Sequence, residues 1–197
     1  MLLDKDIREP LFEFLESKFG RIRILEEVVM GRSRSDVIMV APEMIYGIEI
    51  KSDADTYVRL SRQVKDYDRY FDRNIIVAGS SHGVHIKEHV PDHWGIITVE
   101  ENGNDPDFYI LRYPSDNKKV NLKKKLEFLW RPELYELQKK MGMYKYKDKS
   151  KAFVIEKMIS LIPERISRKE FDIAVSDLLI ERDYTRVEET LAQFRKG

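Results

Sequence analysis

Residues 35–51, Ser-Asp-Val-Ile-Met-Val-Ala-Pro-Glu-Met-Ile-Tyr-Gly-Ile-Glu-Ile-Lys, constrain the fold more than any other stretch. Two apolar runs, Val37–Val40 and Ile45–Ile50, flank the turn signal Ala41-Pro42-Glu43-Met44. An antiparallel hairpin centred on that turn pairs Ala41 with Met44 and, counting outward, Asp36 with Glu49. Opposed residues in such a pair have Cβ atoms roughly 4.5–5.5 Å apart. Two carboxylates at that range repel each other unless a cation lies between them or one keeps its proton. Lys51 follows Glu49 by two residues and therefore shares its face. Acid, acid and amine together are the donor set that a hard divalent metal and a charge-stabilising lysine require.

The rest of the chain supplies an α/β frame for this hairpin. A helix over residues 6–19, capped by Asp4 or Asp6, buries Ile7, Leu11, Phe12, Phe14 and Leu15. Pro10 then belongs in its first turn, where a missing N–H does little harm. A first strand over 21–29 precedes the hairpin. Ser52-Asp53-Ala54-Asp55-Thr56 is rich in capping groups and leads into a helix over 57–72, with Val58, Leu60, Val64, Tyr67 and Phe71 on its apolar stripe. Asn74–Gly79 and Trp94–Glu100 are apolar enough to be strands covered on both faces, separated by a short helix over 82–90. Asn102-Gly103-Asn104-Asp105-Pro106 marks a turn into an edge strand at Phe108–Arg112. Beyond residue 119 the periodicity is helical, with helices expected near 120–130, 132–141, 151–162, 167–182 and 185–195. Ser167 and Glu170 are spaced as a capping box. The order describes a mixed β-sheet flanked by helices, a core over 1–117 and a helical extension over 118–197.

The chain has equal numbers of Lys/Arg and Asp/Glu, 35 of each, and no cysteine. That excludes disulfides, thiolate metal sites and cysteine nucleophiles. With no run of 18 apolar residues, a cytoplasmic protein with no membrane partner is expected. The charge is unevenly placed. Residues 118–151 contain twelve Lys or Arg against four acids, whereas residues 1–117 contain fifteen against twenty-two. Either the basic stretch attracts phosphate beside the hairpin acids, or it is a solvated helical face.

Several other residues allow two readings each. Gln63 and Tyr67, spaced i and i+4, share a helical face. They either line the rim of the site, against phosphate or the attacking water, or form an ordinary surface and core pair. Arg32 and Arg34 grip a phosphate or balance local acids. Asp53 and Asp55 hold a second metal or, with the better odds, cap a helix. His82, His85, His89 and His93 read better as packed or solvated side chains than as a zinc site, and Trp94 and Trp130 as core. Tyr144 and Tyr146, interleaved with lysines, stack on bases or lie in a polar loop.

Ser35-Asp36, Glu49-Ile50-Lys51 and Gln63-x-x-x-Tyr67 together resemble the core motifs of the PD-(D/E)xK nuclease superfamily, the last pair resembling the Gln-x-x-x-Tyr motif of its RecB-like members. Gly47–Thr56, Arg59-Leu60 and Trp94-Gly95-Ile96 further resemble a bacterial family of small stand-alone proteins within it, over roughly residues 5–190. Ser35 stands where the superfamily's named proline would be. The resemblance implies a restriction-endonuclease-like sheet and Mg²⁺- or Mn²⁺-dependent cleavage of nucleic acid, with DNA the expected partner. It implies that Asp36 and Glu49 bind metal and that Lys51 is catalytic; the residues themselves add the Ile50 carbonyl as a metal ligand and Gln63 as a catalytic group. Tyr67 and Arg34 would contact substrate. A further acid from the first helix or strand would be Glu9, Glu13, Glu26 or Glu27, with Glu27 favoured. The alternatives are a catalytically silent nuclease-like module that binds DNA or protein, and a structural or small-molecule role.

Overall fold

In a computed structural model that describes residues 2–83, 85–103 and 105–184, six strands form one mixed sheet in sequential order. Strand β1 is Arg23–Met30, β2 Ser33–Ala41, β3 Met44–Lys51, β4 Arg73–Gly79, β5 Gly95–Asn102 and β6 Asp105–Arg112. The first three pair antiparallel, β3, β4 and β5 run parallel, and β6 returns antiparallel to β5. The hairpin register is the expected one: Ala41 faces Met44 and Val37 faces Ile48. Pro42 and Glu43 make its turn, Glu43 with φ 71°, and the Glu43 N–H donates to Ser176 Oγ at 3.0 Å.

Alternation along the central strands divides the core into two layers. Val37, Met39, Ile48, Ile75, Val77 and Ile97 face helix α1 (Asp4–Phe19), which buries Ile7, Leu11 and Leu15 against them. Ile38, Val40, Ile45, Ile76 and Ala78 face the other way, toward α2 (Leu60–Tyr70) and the C-terminal helices α4 (Leu122–Lys125), α5 (Arg131–Lys140), α6 (Lys151–Ser160) and α7 (Arg168–Ile180). Leu126, Leu134, Leu137, Val154 and Phe171 of the C-terminal segment join this same apolar cluster. The short α3 (Ser80–Gly83) links β4 to β5.

Helix α2 lies close against the sheet because Gly47 has no side chain. A Cβ there would sit 2.1 Å from Phe71 Cδ2 and 2.6 Å from Tyr67 Cδ1. The far end of α2 is anchored by polar groups. Asn117 Nδ2 donates to the carbonyls of Asp68 and Phe71, at 2.7 and 2.8 Å, satisfying acceptors that a helix end leaves free. Asp72 accepts from Ile45 N–H at 2.8 Å. Lys125, only 1% exposed, binds both Asp72 and Asp172. Arg182 pairs with Glu133 at 2.6 Å and lies over the Trp130 ring.

Several expectations need correcting. Helix α1 begins at Asp4, because the Asp6 carboxylate accepts from Leu3 N–H, and this puts Pro10 in the helix interior. Helix α2 begins at Leu60: Asp55 accepts from both the N–H and the hydroxyl of Ser52, folding 52–55 into a turn rather than a cap, and Val58 is 86% exposed. The segment 120–130 is α4 followed by a single 3₁₀ turn, and β5–β6 pairing runs out to Asn102 and Asp105, leaving a tighter turn. Trp94 is core, but Trp130 is half-buried under Arg182. The Ser167–Glu170 capping box forms as expected. The helix expected over 185–195 lies outside the described residues.

The close approach at Gly47 yields a direct test. Gly47→Ala should destabilise the protein by roughly 1–3 kcal/mol or more, because the two rings it meets are fully buried and cannot retreat. Chemical denaturation measures this. Wild-type stability would mean that α2 does not rest on β3 at this point.

Candidate active site

The site forms where β2 and β3 stop pairing through their backbones. Their regular ladder ends at Val37 and Ile48. Past it the Tyr67 hydroxyl bridges the two strands, accepting from Asp36 N–H and donating to the Ile48 carbonyl, both at 3.2 Å. The Asp36 carboxylate then takes over, accepting from Ile50 N–H at 2.9 Å. In a strand the N–H and carbonyl of one residue leave on the same side, so the Ile50 carbonyl also faces the Asp36 side. Ile50 lines the cleft while its side chain is buried in the opposite layer with α1.

Glu49 is 1% exposed. Its Oε1 accepts from Lys51 Nζ at 2.6 Å and from the Gln63 amide, whereas Oε2 is buried without a hydrogen-bond partner. Gln63 Oε1 is likewise buried and unpartnered. A buried acceptor left unsatisfied costs about 1–3 kcal/mol, and these two belong to hydrogen-bonded residues that line one cleft, where a group from outside could meet them. Burial, and then repulsion from Glu49, push the Asp36 carboxyl up from 3.8 to about 7; the Ile50 N–H and Lys51 oppose this more weakly. Burial and the same two carboxylates hold the Tyr67 hydroxyl protonated.

Glu27 lies across from Asp36 on β1, since Glu26 faces Val37 and Val28 faces Ser35. Its backbone has φ 52°. Its carboxylate pairs with Arg34 at 3.0 Å and Arg8 at 3.9 Å. Arg8, from α1, also binds Asp4 and Glu26 and reaches the Asp36 carbonyl at 3.4 Å. These groups open into a cleft of about 370 Å³. Six cations line it: Arg8, Arg32, Arg34, Lys51, Arg59 and Arg62.

The sequence thus brings together Asp36, Glu49, Ile50, Lys51 and Gln63. Tyr67 is fully buried behind the carboxylates, so it positions Asp36 rather than touching substrate. Arg34 is taken up by Glu27. Glu9 and Glu13 lie apart from this cleft, and Glu26 is drawn to Arg8. Among the described residues no three His, Cys, Asp or Glu side chains converge as a metal-ligand cluster. His93 binds Asp68, His85 binds Glu88, and His82 and His89 flank the Tyr57 ring. The donors that fit a hard divalent cation are the Asp36 carboxylate, the unpartnered Glu49 Oε2 and the Ile50 carbonyl, the remaining positions falling to water.

No residue of the basic segment lines the cleft. Four of its lysines turn instead to the protein's own acids: Lys119 to Asp68, Lys123 to Glu156, Lys124 to Glu127, and Lys125 into the core. Arg131 donates to the carbonyl of Lys149, and the rings of Tyr144, Tyr146 and Phe153 meet edge to edge. Three lining cations, Arg8, Arg59 and Arg62, were not singled out as site residues. Arg59 was findable, since it precedes Gln63 by four residues on the same helix face.

Comparison with known proteins gives a family. A family model described as Bacteriophage P4 protein cII matches residues 2–192. Protein cII of Enterobacteria phage P4 is 25% identical over 146 residues, 73% of this chain and 55% of that protein. The chain therefore spans about half the length of the curated relative it matches. The matched family takes its description from a phage protein, not from the bacterial stand-alone proteins that the sequence resembles. The structure of Pyrococcus furiosus SfsA in complex with Ca2+ is similar with a TM-score of 0.33 at 15% identity, over 56% of this chain and 60% of that one. So low a score carries no weight for fold or function.

The raised Asp36 carboxyl binds its proton more tightly in the folded chain than in the unfolded one. Its stabilising effect is full below about pH 4 and is lost as the pH rises through about 7. Thermal unfolding in EDTA should therefore show the wild type losing stability relative to Asp36→Asn over that window. Parallel pH profiles for the two proteins would show that Asp36 is not held this way.

Proposed function

This chain belongs to the bacteriophage P4 protein cII family, and we propose that it is a metal-dependent nuclease hydrolysing phosphodiester bonds in DNA. The observation that carries this reading is the convergence of Asp36, Glu49, Lys51 and Gln63 at the point where β2 and β3 part, with an unpartnered oxygen on both Glu49 and Gln63. The roles given to these residues rest on the PD-(D/E)xK resemblance. Asp36, Glu49 and the Ile50 carbonyl would hold Mg²⁺ or Mn²⁺, which supplies a more acidic water and neutralises charge on the phosphate.

The chain's own groups account for the remaining needs. The Gln63 Oε1 accepts a hydrogen bond from the attacking water and so orients its lone pair toward phosphorus. Lys51 presents a fixed ammonium in a buried setting, where it stabilises the negative charge that builds on the phosphoryl oxygens. The water oxygen bonds to phosphorus as the bond to a sugar oxygen breaks; the water gives up a proton to solvent and the departing sugar oxygen takes one up from solvent, so the products are a phosphate monoester and an alcohol. Tyr67 keeps Asp36 in position throughout.

One observation favours the rival reading of a catalytically silent nucleic-acid-binding module: Glu27, the further carboxylate favoured from the sequence, is held by Arg8 and Arg34. The two readings separate in an assay with Mn²⁺ and a panel of single-stranded, duplex and branched DNA and of RNA. The nuclease reading predicts hydrolysis by the wild type, with Lys51→Ala and Glu49→Gln each slower by about 100-fold or more. Binding without hydrolysis across the panel would establish the silent module.

A further inference from the structure

The cleft is unusual in what it lacks. Among its described lining residues there is no aromatic ring, and its one apolar residue, Ile50, points its side chain into the opposite layer of the core. Proteins that hold single strands through bases use aromatic faces for stacking, and those that read base edges use free amide, hydroxyl or guanidinium groups. Here the neutral polar donors are already engaged, the Gln63 amide N–H with Glu49 and the Ser33 hydroxyl with Asp66, and the guanidiniums left free are exposed, with no side-chain partner among the described residues that fixes them against a base edge. What the cleft does offer is charge.

Three of its cations are unspent. Arg32, Arg59 and Arg62 are exposed and have no ion-pair partner among the described residues, whereas Arg8, Arg34 and Lys51 are paired. The three lie along one rim. Arg59 and Arg62 stand one turn apart at the start of α2, and the Ser33–Asp66 hydrogen bond ties the β1–β2 turn, which bears Arg32, one turn farther along. A helical turn advances about 5.4 Å, of the same order as the separation of successive charges on a nucleic-acid strand, which is at least about 3.4 Å.

We infer that the rim arginines Arg32, Arg59 and Arg62 grip the phosphates flanking the reacting one, and that the cleft therefore takes its strand without regard to base sequence. This rests on the nuclease reading for the identity of the ligand, and it adds binding residues that the motifs do not contain. Phosphate contacts fix register and orientation but read no sequence, so the substrate class is any strand whose backbone can enter the cleft.

The test is binding rather than cleavage. Fluorescence anisotropy in EDTA, where metal-dependent hydrolysis cannot proceed, compares labelled oligo-dT, oligo-dA and mixed-sequence single strands between 50 and 200 mM salt, roughly the range over which phosphate contacts show their salt dependence. The wild type should bind all three within about threefold of one another. The triple variant Arg32→Gln/Arg59→Gln/Arg62→Gln should bind each about tenfold or more weakly, and its slope of log K against log salt should be shallower by about 2. Its melting curve should match the wild type, because the three side chains are exposed and unpaired; Arg59→Gln alone provides a second, milder comparison. Unchanged binding by the triple variant, a preference of about tenfold for one sequence, or no binding by the wild type would each overturn the inference. The nuclease reading fails differently, through absence of metal-dependent hydrolysis while this arginine-dependent binding persists.

Discussion

Asp36 and Glu49 are placed next to each other by backbone pairing in which neither takes part, and much of the local structure answers the repulsion this creates. The ladder from Ala41–Met44 to Val37–Ile48 fixes their register and then stops. Beyond it the Tyr67 hydroxyl, the Ile50 N–H, Lys51 and the Gln63 amide each engage one side of the pair. Three of those four groups were legible as a motif, but only the fold shows their division of labour. Lys51 and Gln63 act on Glu49, whereas Tyr67 and the Ile50 N–H hold Asp36. The compensation is incomplete, as the raised Asp36 carboxyl and the unpartnered Glu49 Oε2 both record. What sets this pair apart from the other buried polar atoms without a partner, such as Asn74 Oδ1 and Gln138 Oε1, is that it lines an open cleft, which makes it the candidate ligand site.

Helix α2 connects this site to the rest of the molecule. Its C-terminal end is bound to the sheet and to the C-terminal segment through Asn117, Asp72 and Lys125. Its N-terminal end carries Arg59 and Arg62 at the mouth of the cleft. The glycine at position 47 sets the distance between helix and strand, and that distance decides whether the Gln63 amide reaches Glu49. The C-terminal helices thus brace α2 from behind. Removing one partner of a buried pair such as Lys125 with Asp72 and Asp172 typically costs about 3–5 kcal/mol, which makes this brace a stability element remote from the chemistry.

The hairpin and the juxtaposition of Asp36 with Glu49 were legible in the sequence because a two-residue turn admits one register, and that register decides which side chains oppose. The order of elements along the chain and the mixed sheet followed from the alternation of apolar runs with helical stripes. What was not legible depended on partners distant in the chain. The density of lysines over 118–151 suggested a phosphate-attracting face, but Lys119 and Lys125 are drawn to Asp68, Asp72 and Asp172, which no local pattern associates with them. Tyr67 shared a helical face with Gln63, yet one is sealed in the core and the other opens on the cleft, because the sheet covers only part of that face. That Arg32 lines the same cleft as Arg59 and Arg62 depends on the Ser33–Asp66 hydrogen bond, between segments far apart in the chain.

The central claim is that the Asp36–Glu49 pair is a cation site. Calorimetric titration of Mn²⁺ into the wild type and into Glu49→Gln tests it without any assumption about substrate. Saturable binding by the wild type that is lost in Glu49→Gln is the predicted result. Equal binding by both proteins, or none by either, would contradict it and leave the pair as a buried structural cluster.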